Sequence, residues 1–99
     1  MSMSMFMTRV VLHGVDGHES EEYEQLHAAM ARKGFSRTIE ASDGRWYRLA
    51  PAEYYRTGDM TAEQVHADAK AAAASVWSAY SVFVTVASSF LWSNLQPAA

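Results

Sequence analysis

Few side chains in this sequence can move a proton or hold an anion near neutral pH, and their positions are uneven. His27 sits in "YEQLHAAMARKGFSRTI", residues 23 to 39, on the flank of an apolar helical stripe. An imidazole there can hold a phosphate when protonated or shuttle a proton near pH 7. Arg32, Lys33, Arg37, Arg45, Arg48 and Arg56 crowd into residues 32 to 56, against Glu40, Asp43 and Glu53. That stretch carries +3, whereas the rest of the chain, with Arg9 and Lys70 against eight acids, carries −6. A basic zone on an acidic protein can accept a phosphate backbone at selected points, although the overall charge of −3 argues against general nucleic-acid affinity. Within the zone, "RWYR" (Arg45, Trp46, Tyr47, Arg48) pairs rings that could stack on bases with guanidiniums that could grip phosphates. Trp46 folded back over a core or partner is the equal alternative.

Other chemistries are excluded or unsupported. There is no cysteine, so disulfides and thiolate nucleophiles are ruled out. His13 and His18 are too loosely spaced for a metal pair, and no metal site or cofactor is expected. The start "MSMSMFM" lacks the basic and apolar regions of a secretory signal and reads as a disordered leader over residues 1 to 7. Residues 71 to 99 carry no charge, long enough to raise a membrane span. Scattered serines, no flanking basic cluster and the period-2 run "YSVFVTVA" favour a strand instead, and with it a cytoplasmic protein.

The elements that must position these groups follow from periodicity and capping. "TRVVLHGV" reads as a first strand, with Val10 and Leu12 facing one way and Arg9, Val11 and His13 the other. A helix is predicted from about Ser20 to Lys33, capped by Ser20, with Glu21, Glu22 and Glu24 at its positive end. Tyr23, Leu26 and Met30 form its buried stripe, and Gly34 supplies a left-handed exit. A second strand is predicted over 35 to 41, then a partly ordered contact loop over 42 to 51 and a third strand over 53 to 57. Thr61 with Gln64 forms a capping box for an alanine-rich second helix, whose Ala62, Val65, Ala69, Ala72 and Val76 line one face. A fourth strand over 80 to 87 sends Val82, Val84 and Val86 toward the helices and Phe83 the other way. Phe83 and Phe90 read as core or interface rings. "SSFLWSNL" closes the domain as a short helix or edge segment, ahead of a flexible tail over 96 to 99.

The predicted class is α+β, in β-α-β-β-α-β order. That is a ferredoxin-like sandwich over residues 8 to 95, a four-stranded antiparallel sheet with two helices on one face and the other face open.

The chain resembles the GhoS family of antitoxins. The likeness rests on "RVVLHG", on "YEQLHAAM" followed by "GFS", on Gly44 and Leu49, on "AEQV", and on an aromatic after the last strand. It implies metal-independent endoribonuclease cleavage of a toxin transcript. Where the family implicates an arginine of the first helix, this sequence has His27. Such cleavage needs the 2′-hydroxyl deprotonated, the leaving oxygen protonated and the phosphorane stabilised. The expectation from the resemblance is therefore His27 as base or acid, with RNA held by Arg9, His13, Arg32, Arg37, Arg45, Trp46, Tyr47 and Arg48. The alternatives are a catalytically inert interaction module, homodimeric through its sheet or C-terminal segment, and a small dimeric α+β-barrel enzyme with a closed apolar pocket.

Overall fold

The structure, a computed structural model, describes residues 3 to 98. The elements are β1 (Ser4–Leu12), α1 (Glu21–Arg32), β2 (Thr38–Glu40), β3 (Trp46–Arg48), β4 (Glu53–Gly58), α2 (Ala62–Ala74) and β5 (Tyr80–Ala87). Both helices begin and end where local chemistry dictates. Ser20 Oγ accepts from the Tyr23 N–H, and the Thr61–Gln64 box is closed in both directions. At the end of α1, Gly34 at φ +91° lets its own N–H reach the Ala31 carbonyl and the Phe35 N–H reach Met30. This Schellman exit turns Phe35 back into the core beside Met30.

β1 is the central strand of an antiparallel sheet in the order β4-β1-β5. Its residues alternate faces. Phe6, Val10 and Leu12 join Tyr54 of β4 in one core with Tyr23, Leu26 and Met30 of α1 and Val65, Ala69 and Ala72 of α2. Val82 and Val84 of β5 pack against that core, while Val86, on the same face, lies beyond the helices' cover and is 56% exposed. Alanine along α2 permits this close approach, because it brings helix-forming backbone without bulk.

Three sequence expectations need correction. First, a single four-stranded sheet does not form: β2 and β3 make a separate two-stranded ladder, and only Ser36 bridges to Tyr55 of β4. The physical reason lies at Ser36, whose Oγ accepts from the Thr38 N–H at 3.1 Å. That local bond bends the chain away from β4 after one bridge, and Thr38–Glu40 pair with Trp46–Arg48 instead. Second, the leader expected through Met7 contributes Ser4–Met7 to β1, because Phe6 and Thr8 continue the buried alternation; the first two residues lie outside the described residues. Third, the tail is tied down. Arg48 N–H donates to Gln96 and Ala98 N–H donates to Trp46, so residues 96 to 98 line β3; residue 99 lies outside the described residues.

The charge-free final third comprises the end of α2, β5 and this edge segment. Among the described residues no helix is long and apolar enough to cross a membrane.

Candidate nucleic-acid interface

His27 projects from α1 toward β4, where its Nδ1 and the Tyr54 hydroxyl share a hydrogen bond of 2.6 Å. Tyr54 is buried and has no other side-chain partner among the described residues. If Nδ1 carried the proton, the phenolic hydrogen would be stranded in the core; a buried donor left unpaired costs about 1–3 kcal/mol. The economical arrangement has the Tyr54 O–H donating to Nδ1, which places the imidazole proton on Nε2, away from Tyr54. Burial above all, then the charge of Arg37, holds His27 below its ordinary pKa, with Glu24 pulling the other way and His18 adding to the fall. Burial also raises Tyr54 well above the usual phenol range, partly opposed by Arg37. The neutral imidazole is therefore an N–H donor at this site, within electrostatic range of the Arg37 cation.

Tyr23 completes the wall. Its hydroxyl accepts the Leu12 N–H at 2.9 Å, and its ring stands between His18 and His27 at centroid distances of 4.9 and 6.4 Å. Neither Tyr23 nor Tyr54 was recognised from sequence as part of a site. The available signal was that each is a buried-stripe tyrosine whose hydroxyl must find a partner.

The other expected residues fall into distinct places. Arg32 ends α1 and Arg37 lies in the bend before β2, both exposed. Neither they nor Lys33 nor Arg48 forms an ion pair among the described residues. Arg45 is engaged with Asp43, at 3.8 Å. Arg56 is more firmly committed: its guanidinium donates to Asp68 at 2.8 Å and sits 5.1 Å from the Phe35 ring centroid.

On β3, Trp46 and Arg48 share one face and Tyr47 takes the other. Trp46 is 49% exposed and borders a hollow of about 210 Å³ with Gly34, Ser36, Thr38 and Arg56. It remains able to stack on a ring. Tyr47 is half-buried and packs against Trp92 of the C-terminal segment, 5.8 Å between centroids. Phe90 likewise meets Tyr55 edge-on at 5.8 Å.

Arg9 and His13 lie on the opposite side of the sheet from the helices. His13 Nε2 bonds Ser81 Oγ at 2.6 Å, and its carbonyl accepts the Trp77 indole N–H. They do not converge with His27. Part of that face is also covered by the hairpin and tail, where Met5, Ile39, Tyr47, Tyr55, Phe90 and Trp92 line an open hollow of about 440 Å³. The structure thus brings His27 and Tyr54 together within electrostatic range of Arg37, leaves Trp46 on the neighbouring hairpin, and separates Arg9 and His13. No group of three histidine or carboxylate side chains able to hold a metal occurs among the described residues.

Comparisons with family models, with curated proteins and with solved structures each return no match.

Proposed function

We propose that this protein is a GhoS-like antitoxin that binds the RNA of a toxin transcript, with His27 and Arg37 on the phosphate backbone and Trp46 as a stacking platform. The observation that carries the reading is the His27 imidazole, held neutral against the Tyr54 hydroxyl within electrostatic range of Arg37, a guanidinium that forms no ion pair among the described residues. A neutral N–H donor and a cation together suit a phosphodiester, which offers acceptors and one negative charge. The same geometry weighs against His27 as the resting general base, because the lone pair needed for that role faces Tyr54. Metal-independent cleavage at this site would use His27 as the acid toward the leaving oxygen, with the 2′-hydroxyl proton passing to water. The proton on His27 would be taken up from solvent, because the phosphate charge favours the cationic form. The strand order supports the finer fold reading: with Ser36 beside β4, the sequence β5-β1-β4-β2 is that of a ferredoxin-like sandwich whose outer strand has peeled into a hairpin.

A second reading, an inert interaction module, is favoured by the separation of Arg9 and His13 from His27. One experiment decides between them. The full chain is titrated into single-stranded and structured RNAs, with chelator present, alongside Arg37→Ala and His27→Gln. RNA binding weakened about fivefold or more by Arg37→Ala, with a shallower salt dependence, supports the interface. Discrete cuts lost in His27→Gln add the nuclease activity. Absence of binding, or binding indifferent to both substitutions, overturns it in favour of the module.

A further inference from the structure

Strand β5 ends the three-stranded sheet, with β1 on one side and, among the described residues, no strand on the other. Its pairing with β1 is continuous from Met5↔Ala87 to Leu12↔Tyr80, without a bulge. Which backbone groups face outward can be read from one bond. His13 N–H donates to the Ala79 carbonyl, so that pair exchanges hydrogen bonds, and odd-numbered residues of β5 point at β1. Tyr80, Val82, Val84 and Val86 therefore aim their N–H and C=O groups away from the sheet, and none has a backbone partner among the described residues.

Edge strands are ordinarily blunted by lysine, proline, a bulge or shortness. This one has none of these. It is eight residues long, uncharged, proline-free and half β-branched. Phe83 stands 70% exposed at its middle and Val86 is 56% exposed.

We infer that β5 pairs antiparallel with β5 of a second copy of this chain, about a two-fold axis through Phe83. The occupant follows from the strand's own symmetry. Outward residues must meet outward residues, so allowed registers differ by two. Only the register that opposes Tyr80 to Val86 and Val82 to Val84 of the copy uses all four outward residues of both strands. It makes about eight backbone hydrogen bonds. The same register sets Phe83 directly opposite its own copy at a non-hydrogen-bonded position, where side chains approach most closely and aromatic pairs contribute most. Ser81 then faces Thr85, and on the helix side the exposed Val86 is covered by Tyr80. No charge lies on either strand. The nearest, Arg9 opposite Phe83 on β1, would be separated from its copy by three strand spacings, about 14 Å and beyond the Debye length in physiological salt. A charged or shape-specific partner would find nothing on this edge to recognise. A second β5 finds a complement at every position. The inference is independent of the RNA reading, whose groups lie on α1, the bend before β2 and the β2–β3 hairpin.

The test uses the full chain, which has no cysteine of its own. Phe83→Cys is oxidised mildly beside Thr85→Cys. The proposed register brings the Phe83 positions to about 4.5 Å between Cα atoms, inside the disulfide range, while residue 85 meets residue 81. A covalent dimer from Phe83→Cys and little from Thr85→Cys is expected. Sedimentation of the unmodified chain up to about 100 μM should show a dimer. Phe83→Glu and Phe83→Lys should each weaken dimerisation at least about tenfold, and an equimolar mixture should restore it, because opposite charges then face each other. The side chain is solvent-facing, so these variants keep the monomer fold. A monomer throughout the concentration series, or cross-linking of Thr85→Cys as readily as Phe83→Cys, overturns the inference.

Discussion

The two outer strands of the sheet meet opposite fates. On β4, Tyr55 points its N–H and C=O outward, and both are taken by Ser36 at 2.7 Å. Beyond that bridge, the β2–β3 hairpin and residues 90 to 98 fold over the neighbouring face, with Phe90 on Tyr55 and Trp92 on Tyr47. On β5, four residues direct the same kinds of group into open space. One edge is bridged at its middle by the chain itself; the other remains in a state that isolated proteins usually avoid. The difference shows that edge protection is not a matter of strand composition alone. Strand β4 holds Glu53 and Arg56 and is nevertheless bridged at Tyr55, while β5, the more apolar strand, has no bridge among the described residues.

Proline substitution is the sharpest way to break this comparison. Tyr55→Pro removes the donor to Ser36 and the ring against Phe90, and it should destabilise the monomer by about 3 kcal/mol in urea denaturation. Val86→Pro removes only an outward N–H, so at dilutions that keep the chain monomeric it should cost less than about 1 kcal/mol. Equal losses would mean that the two edges are energetically alike.

A smaller effect is expected where β4 runs out and β1 continues. There the Leu12 N–H has no strand partner on the β4 side and donates to the Tyr23 hydroxyl. Tyr23→Phe leaves that buried donor unpaired, and the expected loss is about 2 kcal/mol in the same denaturation measurement. Between the edges, in the middle of β1, Thr8 is fully buried and its Oγ1 has no partner. Thr8→Val keeps the shape and removes an unpaired hydroxyl, so it should raise stability by about 1 kcal/mol. A loss on that substitution would show that the hydroxyl is satisfied in solution.

The smallest expected effect lies at His27. Its folded pKa is depressed, so the neutral form is the one that the fold favours. The corresponding stability is fully present above the unfolded value of about 6.5 and is lost as pH falls through the lower folded value. The group is only half-buried, and solvent screening keeps the contribution modest. A denaturation series from pH 8 down to 5 should therefore slope downward below about pH 6.5. His27→Gln should flatten that slope relative to the parent, with Glu24, His18, Arg37 and Tyr54 left in place. An unchanged slope would place the titration elsewhere.

Much of the architecture was legible locally. The limits of α1 and α2 follow from Ser20, Gly34 and the Thr61–Gln64 box, and β5 is the strand that its alternation describes. The buried stripe of Tyr23, Leu26 and Met30, and the outward position of Arg9 and His13, also emerged as periodicity requires. The leader was misjudged because nothing local marks residues 4 to 7 as a strand, while the burial of Phe6 depends on helices distant in sequence. The β2–β3 hairpin was missed because Pro51 ends any long strand, and three-residue strands leave too little alternation to detect. Of the expected interface residues, the pairing of His27 with Tyr54 could not be inferred, since it joins α1 and β4. Tyr47 could not be told from Trp46 as a base contact, because only the fold decides which face of β3 the tail covers.

Residue order by itself determined the helices, their caps, the alternating faces of β1 and β5, and the absence of thiol chemistry. Each of these depends on groups within a few positions of one another along the chain. The tertiary structure alone decided which sheet edge is bridged, which tyrosine holds His27, and which cations are already paired. Those outcomes depend on contacts between residues tens of positions apart, where small differences in packing and hydrogen bonding, invisible in the local pattern, select one partner over another.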